Sequence, residues 1–196
     1  MNHQSWRVVA LTTALCGSLA MFAVAEERKT VEVQVKDIKL VVPTAWKQEE
    51  LANKFRVAQF RIDPAEGDKE VAELVITQFG GGGGGVDENV KRWVNQFQPK
   101  DRKVKVTRGK APQGEYVLVD AAGTYNKPLG PPIAMKTTPV PGQWMLAVML
   151  MVEEKGVYFL KLTGPEKTVT AAADDLRKSM GAKADYEKEY KTESSS

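Results

Sequence analysis

The side chains that most often carry enzyme chemistry are scarce in this chain of 196 residues, and their placement removes several reaction classes at once. The one histidine, His3, and the one cysteine, Cys16, both fall in an N-terminal stretch that reads as a removable leader, so the mature chain would offer neither imidazole nor thiol. Nucleophilic catalysis by a Ser–His or Cys–His pair needs such a base. Zinc, copper(II) and haem sites lean on the same two side chains. Beyond the leader, serine occurs only at Ser179 and in the terminal run Ser194, Ser195, Ser196, and Ser179 has no evident activator. The expectation is no catalytic residue, no metal site and no cofactor.

Four features remain. Asp63, Glu66, Asp68, Glu70 and Glu73 crowd one turn, where they read as a solvated turn because the alternating ligand pattern of a calcium loop is missing. Asp120 shares a strand face with Leu118 and Ala122, so a partly buried, hydrogen-bonded carboxylate is expected there. The run Gly80 to Gly85 precedes a helix and invites an anion site, yet Val86-Asp87-Glu88 stands where a phosphate loop has its lysine and hydroxyl. It reads first as a linker, with ligand contact or a partner-binding loop as alternatives, and Gly82 and Gly83 are its candidate contacts. Lys103 and Lys105 belong to a basic stretch, Lys100 to Lys110, whose alternation with Val104 and Val106 places lysines on the outer face of a strand; an anionic ligand is the alternative to plain protection of an edge. Met145, Met149 and Met151 on one strand read as adaptable core packing.

These residues must be positioned by elements that periodicity marks out. Residues 1–25 read as a signal peptide: Arg7, an apolar run from Val8 to Ala23, and a small-residue cleavage site at Ala23-Val24-Ala25. Cleavage there leaves 171 residues and lowers the net charge from +3 to +2, so neither a nucleic-acid nor a transmembrane role is expected, and the location is periplasmic or secreted. Val31, Val33 and Val35 alternate with polar residues as a half-buried strand, and Ile38 to Val42 follows. Lys54–Ile62 and Val71–Phe79 form a hairpin. Val86, Val90, Trp93, Val94 and Phe97 fall at helical spacing. Lys103–Arg108 and Glu115–Tyr125 are two more strands, and five prolines make Asn126–Gly142 a long loop. Trp144–Val152, apolar on both faces, is a central strand. Val157–Leu162 pairs back, and Gly164-Pro165 opens a last helix ending near Met180. The prediction is one α+β domain over residues 26–181, an antiparallel sheet flanked by helices, with residues 182–196 a disordered polar tail.

Val41-Val42-Pro43 followed by Trp46, the Tyr158-Phe159 strand running into Thr163-Gly164-Pro165, and a final helix ending Leu176, Ser179, Met180 resemble the PsbP/DcrB-like family of exported domains. Ala58-Gln59-Phe60, Ala72-Glu73-Leu74-Val75 and Arg92-Trp93 are similar to secreted proteins of planctomycete-type bacteria. The resemblance implies an α/β/α sandwich and a non-catalytic accessory or binding role, with no shared active site to carry over. The functional expectation is an exported binding or accessory protein of the cell envelope, acting on an envelope protein or a small ligand; a small-molecule or anion carrier is the alternative.

Overall fold

The computed structural model describes residues 28–79, 83–129 and 136–192; the signal-peptide expectation and Gly82 lie outside them. The described residues form ten strands, most of them marked by alternating hydropathy: β1 (Thr30–Val35), β2 (Ile38–Pro43), β3 (Lys47–Gln48), β4 (Arg56–Ile62), β5 (Ala72–Phe79), β6 (Lys103–Ala111), β7 (Gly114–Pro128), β8 (Thr137–Val152), β9 (Gly156–Pro165) and β10 (Lys188–Glu189). Among the described residues two α-helices accompany them, α1 (Val86–Val94) and α2 (Glu166–Ser179). Eight strands form one antiparallel sheet in the order β10-β6-β7-β8-β9-β5-β4-β3, while β1 and β2 pair as a separate hairpin. The expected α+β class holds as a sheet-dominated version.

The two faces of the sheet are covered unequally. On one face Phe60, Leu74, Leu118, Leu146, Val148, Leu150, Leu160 and Leu162 pack under Val169, Ala172 and Leu176 of α2 and under Ile38, Leu40 and Val42 of the hairpin. Tyr158 is fully buried in this layer, and its hydroxyl donates to Asp37 Oδ2 at 3.1 Å, pinning the hairpin turn to β9. On the other face the smaller α1 lays Val90 and Trp93 over Val119, Met145, Ala147, Met149 and Phe159. From Met145 to Leu150 every residue of β8 is buried, as its two-sided apolar sequence requires. Met145 and Met149 are core packing, while Met151 near the end of the strand is only partly buried.

The acidic turn turns out to be a helix cap. α2 begins at Glu166 after Pro165, which has no side chain able to accept from the first turn. Asp68 supplies the acceptor from the β4–β5 turn: its Oδ2 receives the backbone N–H of Thr168 at 2.8 Å and the Thr168 hydroxyl at 2.7 Å. Asp63 is engaged separately, 2.7 Å from Lys47 Nζ and 3.3 Å from an Arg61 nitrogen. These carboxylates therefore hold structure rather than converge on one point.

Two expectations need correction. The segment Asn126–Gly142 is not simply a loop: β7 runs on to Pro128 and β8 starts at Thr137, so its ends extend the ladder, with Lys127 opposite Thr138. Prolines 139 and 141 are tolerated because a bulge and the left-handed Gly142 (φ 68°) loosen the pairing there. Nor is the described part of the expected tail, residues 182–192, without structure. Ala182 is buried, Ala184–Tyr186 form a 3-10 turn, and Lys188 and Glu189 pair with Arg108 and Thr107 at the sheet edge. Composition misleads because this segment is held by polar contacts. Glu187, its side chain 5% exposed, takes the Arg177 guanidinium on both oxygens (2.7 and 3.2 Å), the Thr107 hydroxyl at 2.9 Å and the Tyr116 hydroxyl at 3.1 Å. Burial pushes this carboxyl upward, but Arg177, Thr107 and Tyr116 more than offset it and hold it below its ordinary value.

Replacing Glu187 by alanine should cost about 3 kcal/mol, because it strands the Arg177 guanidinium in a buried layer. A free tail would give a change within about 0.5 kcal/mol. The denaturation midpoint of Glu187→Ala against wild type decides between them.

Candidate functional site

α1 covers only the β6–β8 side of its face and the near part of β9. The remaining part, over β4, β5 and the far half of β9, carries polar side chains, and local geometry aims them at one another. A bulge in β4 between Arg56 and Ala58 turns both Arg56 and Gln59 toward this face, where regular alternation would separate them. Arg56 Nη1 then donates to Gln59 Oε1 and to Glu73 Oε1 of β5, each at 2.6 Å. Gln59 in turn donates to Glu49 at 3.1 Å, and Arg61 lies 3.6 Å from Glu49.

Lys161 rises from β9 into the middle of this polar floor. The chain leaving α1 doubles back along β7, with Gln98 N–H donating to Thr124 O and Asn126 N–H to Gln96 O, both at 2.8 Å. This extra pairing brings Gln96 and Tyr125 over Lys161. Its ammonium donates to Gln96 Oε1 at 2.6 Å and to the Tyr125 hydroxyl at 3.1 Å, and it lies 5.3 Å from the centre of the Tyr125 ring. Gly123 makes the close passage feasible: with φ at 140°, a Cβ there would stand 3.0 Å from the Arg102 backbone. Burial, reinforced by the charges of Arg92 and Arg56 and opposed by Glu73, pushes the Lys161 amine down to about 8. Tyr125 also lines a cleft of about 330 Å³, together with Glu49, Arg61, Glu70, Glu73 and Thr163.

The residues singled out from sequence fall elsewhere. Gly83 does require glycine: its φ is 63°, and an added Cβ would meet the Phe159 ring at 2.6 Å. Phe159 there makes edge-on contacts with Phe79 (5.7 Å) and Trp93 (5.8 Å). Glu88 accepts the Gly85 N–H at 3.2 Å, and the Asn89 amide donates to Gly83 O (3.0 Å) and Gly85 O (2.8 Å). Lys103 and Lys105 are exposed on β6, where Lys105 stands opposite Asp120 on the α2 face. That is the reverse face from Gly83 and three strand spacings away, about 14 Å. The structure therefore does not bring Gly83 together with Lys103 and Lys105. Asp120 is partly buried as expected and accepts the Trp144 indole N–H at 2.6 Å; burial raises its carboxyl despite that bond. Ser179 is buried and donates to Leu176 O at 2.7 Å, a local helix-end contact.

Sequence reasoning passed over Lys161, although one signal was present. It is the single charge within Val157–Leu162, on the same strand face as Val157 and Phe159, and a lone charge on an otherwise apolar face is directed inward. Nothing in the sequence marks the bulge that brings Arg56 onto the same face as Gln59.

No protein-family model matches the chain, and no curated protein matches it. Among solved structures, the solution structure of cyanobacterial PsbP (CyanoP) from Synechocystis sp. PCC 6803 is similar with a TM-score of 0.46 and 13% identity, over 89% of this chain and 100% of that one.

Titration of ¹³C-labelled lysine side chains should show Lys161 changing near pH 8. Because the folded value lies below the unfolded one, the unfolded chain binds more protons between the two. The stability of wild type relative to Lys161→Met should thus rise with pH from about 8 to about 10.4. A flat difference over that window would place the amine in water.

Proposed function

We propose that this chain is an exported, non-catalytic binding protein of the cell envelope that takes its ligand on the open half of the sheet. The observation that carries this reading is the uneven cover of the two faces: the area beside α1 holds an organised polar floor instead of apolar core. Such a floor costs ordering and desolvation, and it supplies convergent polar groups of the kind that orient a ligand.

Of the two forms this role can take, the geometry favours the small-molecule carrier over an accessory that docks on a protein. The cleft is concave and polar, at the small end of the range for ligand sites. The exposed apolar side chains Phe55, Val104 and Tyr186 lie on separate elements. A hydrolytic reading finds little support, since Glu73 is held by Arg56, Asp63 by Lys47 and Asp120 by Trp144.

Native mass spectrometry of residues 26–196, isolated gently from source cells, tests the reading. The expected spectrum contains a reproducible small adduct that Glu73→Ala weakens. A co-purifying protein with no small adduct would move the assignment to the accessory form.

A further inference from the structure

The polar groups lining the cleft beside Tyr125 are of two kinds, and together they narrow what it can hold. The charged ones balance. Three carboxylates, Glu49, Glu70 and Glu73, are answered by Arg61, Lys127 and the Arg56 that holds Glu73. Glu49 lies 3.6 Å from Arg61, and Glu73 Oε1 accepts from Arg56 at 2.6 Å. Glu70 and Lys127 make no ion pair among the described residues; both are exposed, and their long side chains would lose rotamer freedom on binding. Lys161, held by Gln96 and Tyr125, is not one of the lining residues. The cleft therefore offers a charged ligand no excess of counter-charge.

The groups fixed on strands are the second kind. Glu73 and Thr163 are direct partners across β5 and β9, so their side chains rise side by side from the open half of the sheet, about 5 Å apart. Thr163 is also the partner of Met145, and Gln143 stands two residues before Met145 on the same face of β8. That spacing puts Gln143 about 8 Å from Thr163. Among the described residues the Thr163 hydroxyl, the Gln143 amide and Glu73 Oε2 have no hydrogen-bond partner, and no buried side-chain polar atom lacks one. All three groups are therefore open to solvent, on residues that line the cleft. Val71, 40% exposed and on the same strand face as Glu73, adds apolar surface together with Tyr125.

A carboxylate oxygen, a hydroxyl and an amide in one cleft suit ligand groups that both donate and accept. Alcohol hydroxyls do both, whereas an ammonium only donates and a carboxylate only accepts. A carbon ring or chain bearing adjacent hydroxyls would pair them with these three side chains and lay its C–H face on Val71 and Tyr125.

We infer that the cleft is a site for a small uncharged polyol, a monosaccharide or a similar polyhydroxy compound, held by Glu73, Thr163 and Gln143. The inference rests on the small-ligand reading above and names its ligand class. Glu73 Oε2 accepts from one ligand hydroxyl, Thr163 exchanges a hydrogen bond with its neighbour, and the Gln143 amide meets a third. Arg56 fixes the Glu73 carboxylate through its other oxygen.

The test is an NMR titration of residues 26–196, labelled with ¹⁵N, against D-glucose, D-galactose, D-mannose and sorbitol, with sodium acetate, putrescine and glycine as charged controls. At least one neutral compound should move the Gln143 side-chain NH₂ and the Thr163 amide saturably, with a dissociation constant of about 1–10 mM for so few atoms. Thr163→Val removes the hydroxyl and keeps the branched shape; it should weaken that compound about fivefold, the loss of one neutral hydrogen bond, and leave the rest of the spectrum unchanged. Two results would overturn the inference: no saturable movement by any neutral compound at about 100 mM, far above that range, or tighter binding of a charged control than of every neutral compound. If an adduct from source cells shifts the amides of Glu73 and Thr163 but carries an ionised group or no hydroxyls, the polyol class is wrong while the cleft reading survives. An adduct that shifts neither amide removes both.

Discussion

The unequal covering of one eight-stranded sheet governs this structure. Each face of a sheet must be packed against something apolar or be made of side chains that tolerate water. α2 and the β1–β2 hairpin meet the first requirement across nearly the whole of one face. α1 has nine residues and spans only part of the other. The strands under the gap answer with the second solution, and the burial pattern of β5 records it: Ala72, Leu74 and Ile76 are buried, while Glu73, Val75 and Thr77 between them are not fully covered. The polar floor follows from the shortness of α1.

Within that constraint, charged groups are placed where the backbone leaves work undone. α2 starts after a proline with no capping side chain, and Asp68 arrives from another turn to accept its first-turn N–H. The edge strand β6 would otherwise present unpaired backbone groups, a hazard for sheet-to-sheet association. The C-terminal segment pairs with two of its residues, anchored by Glu187 in a cluster shared with α2 and β7. Tyr190 continues the strap, its N–H donating to Val106 O at 2.9 Å and its hydroxyl to Asp87 of α1 at 2.8 Å. A segment that looks solvent-loving by composition thus links both helices to the sheet edge.

Much of this was legible in the chain. Period-two alternation located nearly every strand, the two-sided apolar run marked β8 as central, and helical spacing found α1 and α2 to within a few residues. Hydrogen-bonded burial of Asp120 could be read from its neighbours on the same strand face. What was not legible depends on partners distant in sequence. The tail is ordered by Arg177, Thr107 and Tyr116, and the last two lie about seventy or eighty residues before Glu187. The candidate site depends on a bulge in β4 and on the return of residues 95–98 along β7, neither of which leaves a periodic trace. Glycine was the more deceptive signal. Gly83 looked like a ligand-binding position because of its type, but the constraint is the ring of Phe159 beneath it.

The central claim is that the open half of the sheet, and not its covered face or its edge, is the part of the molecule that meets a ligand. Carbene footprinting of the full chain, compared between a lysate of source cells and the dialysed protein, addresses it directly. The account predicts protection in the lysate confined to the cleft lining, including Glu73, Tyr125 and Thr163, and its loss on dialysis. Unchanged labelling there, with protection instead at the α2 face or along β6, would contradict it.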